Sequence, residues 1–299
     1  MKYETEILEA LRKRFGDGYE VDLHRSTKTN NQIQEGVVIR QQPENIGVII
    51  YFKDILDELE AKTTEMFVKE MVDEIFNTYI ENHEKAPKVD ANNMAKEQIL
   101  RKIMPQAVSR ERNVELLKNA PHKGLLDIAI IYRYVIELND DNMMSLVVTN
   151  GAAKKWDISL QELDMAAKQY VKQQNPYCID TMDSLIKSVC EKCGMCETSF
   201  EGIEYPLIYI ISNRRKQYGA SVLAEPEVLG ELAQKLQSDL IVFPSSINEV
   251  LVISAGENDD IEYFRNTVIA TNEQYVSPEE VLSTSVYRYR RDGGTLEIA

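Results

Sequence analysis

The 299-residue sequence is short of the residue types that most often announce chemistry. It holds four cysteines, three histidines and one tryptophan. Four cysteines in a chain of this length make no disulfide framework, and a reducing compartment keeps them as thiols. The histidines, His24, His83 and His122, are isolated and form no His-x-x-x-His pair, which argues against a histidine-based zinc hydrolase. There is no Gly-x-Gly-x-x-Gly, no phosphate loop ending Gly-Lys-Ser/Thr and no Gly-x-Ser-x-Gly elbow. Nucleotide binding through the first two devices, and a serine nucleophile on the third, are excluded. No apolar run approaches the length of a membrane span.

Positive charge is also scarce. Thirty-four Lys and Arg face 49 Asp and Glu, a formal net charge of −15. Such a chain repels phosphate backbones, so tight sequence-independent nucleic-acid binding is not expected. The first residues, MKYETEILEALRKRF, read as an amphipathic helix rather than a secretion leader, and a cytoplasmic location is expected.

What is present is ordinary globular usage, 43% hydrophobic and 28% charged. The densest patterning lies in residues 205 to 254. Leu207 to Ile211 reads as a buried strand after Pro206, and Ala220 to Leu223 as a second short strand. Pro226 opens a helix whose inner face is Val228, Leu229, Leu232, Ala233 and Leu236. Asp239 to Phe243 and Asn248 to Ser254 are strands around the Pro244-Ser245-Ser246 turn.

Upstream, residues 3 to 15 predict a helix ended by Gly16. Tyr19 to Leu23, Val37 to Arg40 and Gly47 to Phe52 predict strands, with Ser26 to Gln34 as a loop. A long helix is expected from Asp54. Residues 84 to 93 are polar and aperiodic and suit a linker between a lobe at 1 to 83 and one at 94 to 299. Ile99, Leu100, Ile103 and Met104 suit a helix that Pro105 ends, although an edge strand over 103 to 108 fits too. Residues 120 to 124 read as a turn and Leu126 to Ile136 as a strand whose buried run ends around Tyr132, Arg133 and Tyr134. Leu146 to Thr149 returns, Asn150-Gly151 breaks it, and Ser159 with Glu162 forms a capping box. Ile261, Phe264, Val268 and Ile269 predict another helix. Ser277 to Leu282 predicts a last short helix. Val286 to Arg290 alternates as an edge strand, and Thr295 to Ile298 can pair back. The order hairpin then helix recurs at 19 to 80, 126 to 171, 207 to 236 and 239 to 275. The fold class is therefore α+β, an antiparallel sheet architecture of hairpin-then-helix units in two lobes.

Candidate chemistry is thin. Cys190, Cys193 and Cys196 have the two-residue spacings of thiolate ligands, and Cys178 is the one available fourth. Inert thiols packed around a helix end explain the pattern better, and no metal or other cofactor is expected. Basic residues cluster at Arg214-Arg215-Lys216 and at Arg288, Arg290 and Arg291. Ser245 and Ser246 sit in a strand-to-strand turn, where hydroxyls bond nearby amides.

The segments Ala120-Pro121-His122 with Leu126-Asp127-Ile128-Ala129, Val148-Thr149-Asn150, Ile211-Ser212-Asn213 with Gly219-Ala220, Phe243 to Val250, and Leu282-Ser283 with Val286-Tyr287 carry a family resemblance. In that order they resemble an uncharacterised bacterial family catalogued as domain of unknown function 5688. The resemblance covers most of the chain. It implies a setting on mobile elements of anaerobic bacteria. It implies no activity and no catalytic residues. The chain departs at Asn248, where relatives often have histidine, and in its cysteine cluster.

The expectation is a non-enzymatic protein that binds another macromolecule. The binding candidates are Asn150, Asn213, Arg214, Ser245, Ser246, Asn248 and Glu249. A hydrolase with a site formed by strand-end turns is the alternative, and a cysteine-metal module a third. If the turns at 150, 213 and 245 converge on a pocket, the enzyme is favoured.

Overall fold

The computed structural model describes residues 3–42, 47–56, 63–83, 94–138, 143–193 and 207–299. The linker expected at 84 to 93 lies wholly outside them. The chain divides into two compact units, Met1–Val89 and Asp90–Ala299.

The N-terminal unit begins with helix α1 (Glu4–Phe15). Gly16, at φ 78°, ends it and returns its N–H to the Arg12 carbonyl. Strands β1 (Tyr19–Thr27), β2 (Ile33–Gln41) and β3 (Val48–Tyr51) form an antiparallel meander in that order. The loop expected over Ser26 to Gln34 is narrower than that, because the strands extend into both of its ends. Ser26 pairs with Gln34 and Thr27 with Ile33, leaving a short 3₁₀ turn at Thr29–Asn31. Helix α2 (Lys53–Leu56) and α3 (Thr64–His83) follow. Ile7 and Leu11 of α1, Met71, Val72, Ile75 and Tyr79 of α3, and Val21, Val37, Ile39 and Ile50 of the sheet share one core. Each such side chain contributes about 1.5–3 kcal/mol on burial.

The C-terminal unit holds two sheets. After α4 (Lys96–Leu100), β4 (Ile103–Ser109) is the edge strand that the alternating pattern allowed. Pro105 is tolerated because β4 pairs with one neighbour only. Helix α5 (Val114–Asn119) leads into β5 (His122–Leu125), a strand where the sequence suggests a turn. β6 (Ile128–Leu138) is central, paired with β4 on one side and with β5 and β7 (Met143–Val147) on the other. Its buried run does not end at Arg133. Tyr132 and Tyr134 are both buried, and so is Val135.

Asn150-Gly151 does not simply break the chain. It opens α6 (Asn150–Lys155), because the Thr149 hydroxyl accepts from the Ala152 N–H at 3.1 Å and caps it. The Ser159–Glu162 capping box starts α7 (Leu160–Gln174), which packs on β4. Lys96 and the capping-box bonds hold the Glu162 carboxyl down at about 2.

β8 (Tyr177–Thr181) has no counterpart in the sequence reading, and α8 (Met182–Cys193) follows it. The second sheet then runs β13-β12-β10-β11-β9-β8, all antiparallel. Its remaining strands are β9 (Tyr209–Asn213), β10 (Leu240–Phe243), β11 (Val250–Ser254), β12 (Tyr287–Arg290) and β13 (Thr295–Ile298). Gly219–Ala224 is a buried 3₁₀ turn rather than a strand, so 207 to 236 is not a hairpin-then-helix unit. β9 pairs instead with β8 and β11. The expected units do appear at 19 to 80, 126 to 171 and 239 to 275. Helix α9 (Pro226–Leu236) starts at its proline, and α10 (Ile261–Tyr275) packs Val268 against Ile241, Ile253 and Val286. Residues 278 to 280 form a turn, followed by a bridge from Val281 to Ser246, and not a helix. β12 is not an edge strand, since β13 lies outside it. Tyr287 and Tyr289 face inward as the alternation requires.

Candidate functional site

Two of the three turns singled out in the sequence meet. β9 delivers Ser212 and Asn213 to its end, beside the approach to β11 that carries Ser246, Asn248 and Glu249. The Ser212 hydroxyl donates to the Asn248 carbonyl at 2.6 Å. Asn213 closes its own loop: its Nδ2 donates to the Gln217 carbonyl at 2.6 Å, and its Oδ1 accepts from the Gln217 N–H at 3.3 Å. Asn248 Oδ1 accepts from the Tyr218 N–H at 3.1 Å, while its Nδ2 donates to Glu280 at 2.9 Å. Ser246 accepts from the Asn248 N–H at 3.0 Å. Ser245 contributes its carbonyl to the Leu282 N–H. The result is a clasp of loops 213–219, 244–249 and 278–283.

The third turn goes elsewhere. Asn150 donates to the Lys118 carbonyl at 2.9 Å and closes the end of α5. Arg214 is exposed, with its N–H on the Pro176 carbonyl. Cys178 stands opposite Ser212 in β8, half-buried, as a free thiol. Burial pushes that thiol up, Asp180 adds to the effect, and Lys216 opposes it. Cys196 and the side chains of Cys190 and Cys193 lie outside the described residues. Among the described residues no three His, Cys, Asp or Glu side chains come together as a metal site.

Burial pushes the Glu249 carboxyl up. Its hydrogen bond from Ser246 works the other way, the Glu280 carboxylate raises it further, and Lys216 lowers it. A carboxyl whose folded value is raised contributes least when ionised. The wild type therefore loses stability as pH rises from the ordinary value of 4.5 through the raised one. Glu249→Gln keeps an acceptor for Ser246 and removes the charge. We expect it to melt about 2 °C above wild type at pH 7, with the gap closing below pH 4.5. An unchanged or lowered melting temperature at pH 7 contradicts this.

The clasp has a product. Tyr218 sits in the left-handed region, at φ 58°, a strained setting for a residue with a side chain. It is held there by Asn248 on its N–H and by the Ser221 hydroxyl on its carbonyl at 2.8 Å. Tyr177 backs Ser221 at 3.0 Å, and burial raises the Tyr177 phenol. So fixed, the Tyr218 ring covers the Arg133 guanidinium, 5.1 Å from its centroid. Arg133 donates to Ser145 Oγ at 2.8 Å, to the Ser145 carbonyl at 2.9 Å and to Gln106 Oε1 at 2.9 Å. Gln106 is fully buried and its Nε2 has no partner. An orphaned buried amide costs about 1–3 kcal/mol. Arg133, Gln106 and Tyr218 were not among the residues the sequence suggested. The available signal was a cation inside the apolar run Ile128 to Ile136.

No curated protein and no solved structure matches the chain. A family model does match, over residues 1–291, and the chain belongs to that family of unknown function, DUF5688.

Proposed function

We propose that the protein works by binding and not by turnover. The observation that carries this reading is the use of the clasp's polar groups. Ser212, Asn213, Ser246 and Asn248 are spent on backbone atoms of the clasp and on the carboxyls of Glu249 and Glu280. A nucleophile needs a base within hydrogen-bond reach, and among the described residues Ser246 has the carboxyl of Glu249 alone. His122, the one histidine of this unit, has its Nδ1 against the Ala120 carbonyl at 2.9 Å. A cytoplasmic setting goes with this reading, since Cys178 is a free thiol. The full chain is to be assayed against chromogenic esters, phosphoesters and glycosides and against fluorogenic peptides. No turnover above buffer is expected. Turnover that disappears in Ser246→Ala would overturn the reading in favour of a hydrolase.

A further inference from the structure

We propose that Arg133 and Gln106 form a seat for a small aliphatic monocarboxylate, roofed by Tyr218. The proposal rests on the reading of the chain as a binding protein and names the chemistry of its ligand.

The first observation is a cation without an anion. Arg133 lies mid-strand in β6, between buried Tyr132 and Tyr134. Three of its five N–H groups are used, and their acceptors are a hydroxyl, a carbonyl and a carboxamide, all neutral. Among the described residues no carboxylate pairs with it. Burial pushes the guanidinium below its usual range, with Tyr218 opposing the shift. A cation removed from water and given only neutral acceptors is poorly compensated.

The second observation is independent of charge. Gln106 presents its Oε1 to Arg133, so its NH₂ must point away from that contact. The amide cannot be turned over without setting donor against donor. Its Nε2 is nevertheless sealed and unpartnered. Two N–H groups of Arg133 and the amide of Gln106, on paired strands, are thus donors without an acceptor. A water molecule can serve the amide but cannot balance the guanidinium.

The surroundings decide which anion fits. One guanidinium balances one negative charge. A dianionic phosphate leaves a net negative charge behind, in a protein that already carries −15. A carboxylate is planar, singly charged and matched to the arginine fork. Met104, Val135 and Tyr170 form an apolar cluster there, with Met143 and Tyr218 against it. That wall suits a short alkyl chain. Arg133, Ser145, Met143 and Tyr218 are only partly buried, whereas Gln106 beside them is fully buried.

The test is thermal unfolding of the full chain in sodium acetate and sodium butyrate, against sodium chloride and sodium phosphate at equal ionic strength. A saturable rise of about 5 °C at a hundredfold excess over Kd is expected for a carboxylate. Butyrate should act at lower concentration than acetate, and phosphate should match chloride. Arg133→Gln should abolish the response. Gln106→Glu places a carboxylate beside Arg133 from within the chain, so it should melt higher than wild type and ignore butyrate. It carries the test if Arg133→Gln does not fold. No saturable rise, an equal rise with phosphate, or a response retained in both variants overturns the proposal. A wild type and a Gln106→Glu variant that both ignore carboxylates show that the amide holds a buried water only. Ester turnover abolished by Ser246→Ala would sink the binding reading and leave the seat standing. Absence of a carboxylate response sinks the seat and leaves the reading.

Discussion

Replacing Asp127 by alanine will cost the C-terminal unit about 3–5 kcal/mol, a large share of the stability of a typical domain. Asp127 sits in the two-residue turn between β5 and β6, after Leu126 at φ 52°. Its carboxylate crosses to the second sheet and accepts three hydroxyls there. Ser283 donates at 2.6 Å and Ser285 at 3.0 Å to one oxygen, and Tyr287 donates to the other. Tyr287 is fully buried, and burial together with the nearby carboxylate pushes its phenol up. Hydrogen bonds to a charged acceptor are the stronger kind, and here one acceptor serves three donors. Alanine leaves all three hydroxyls without it, one of them in the core between the sheets. Tyr287→Phe removes a single donor and leaves the carboxylate two partners, so it should cost about 1–2 kcal/mol. Urea denaturation of both variants checks the pair. A loss below about 1 kcal/mol for Asp127→Ala, or equal losses in the two, would show that the carboxylate does not hold the sheets together.

Neither Asp127 nor its partners could be weighted this way from the sequence. Leu126-Asp127 reads as the first residues of a strand, and more than 150 positions separate it from Ser283 and Tyr287. Periodicity reports which face a residue uses and not which distant residue it meets. The same limit explains the errors of assignment. Ala220 to Leu223 is buried on every side because a 3₁₀ turn passes beneath β9, and a short apolar run of that kind fits strand and turn alike. Tyr177 to Thr181 alternates too weakly to stand out, yet it completes the sheet edge by pairing with β9. Where local chemistry decides, the sequence was legible: the Ser159–Glu162 box, Pro226 at the helix start and Gly16 at a helix end all sit where expected.

The site divides in the same way. Asn213, Ser246 and Asn248 are turn residues by type, and turns they are. Their bonding to one another depends on β9 and β11 being neighbours, which only the sheet order shows. Arg133 resembled the end of a buried run because arginine is seldom placed in the middle of one. Gln106 follows Pro105, and a polar residue next to a helix breaker carries no local sign that it is buried.

Gly219→Ala should cost about 3 kcal/mol, although the change adds one methyl group. A Cβ at 219 would lie 2.3 Å from Ser212 Oγ, 2.5 Å from the Asn248 carbonyl oxygen and 2.7 Å from the Asn213 nitrogen. Two of these are backbone atoms of neighbouring strand ends. The third is fixed by its own 2.6 Å bond to the same Asn248 carbonyl. No flexible side-chain tip is available to yield, so the clasp itself must open. Opening it loosens the Asn248 contact that keeps Tyr218 over Arg133. Gly124 provides the control, since a Cβ there meets nothing within 4 Å, and Gly124→Ala should change stability by less than about 1 kcal/mol. Adding Ser212→Gly to Gly219→Ala removes the nearest clash and leaves the two backbone ones. The double variant should therefore recover part of the loss and not all of it. Chemical denaturation of the three variants decides the matter. Full recovery would place the whole cost on the Ser212 hydroxyl, and equal effects at 219 and 124 would mean that the loops are not clasped at all.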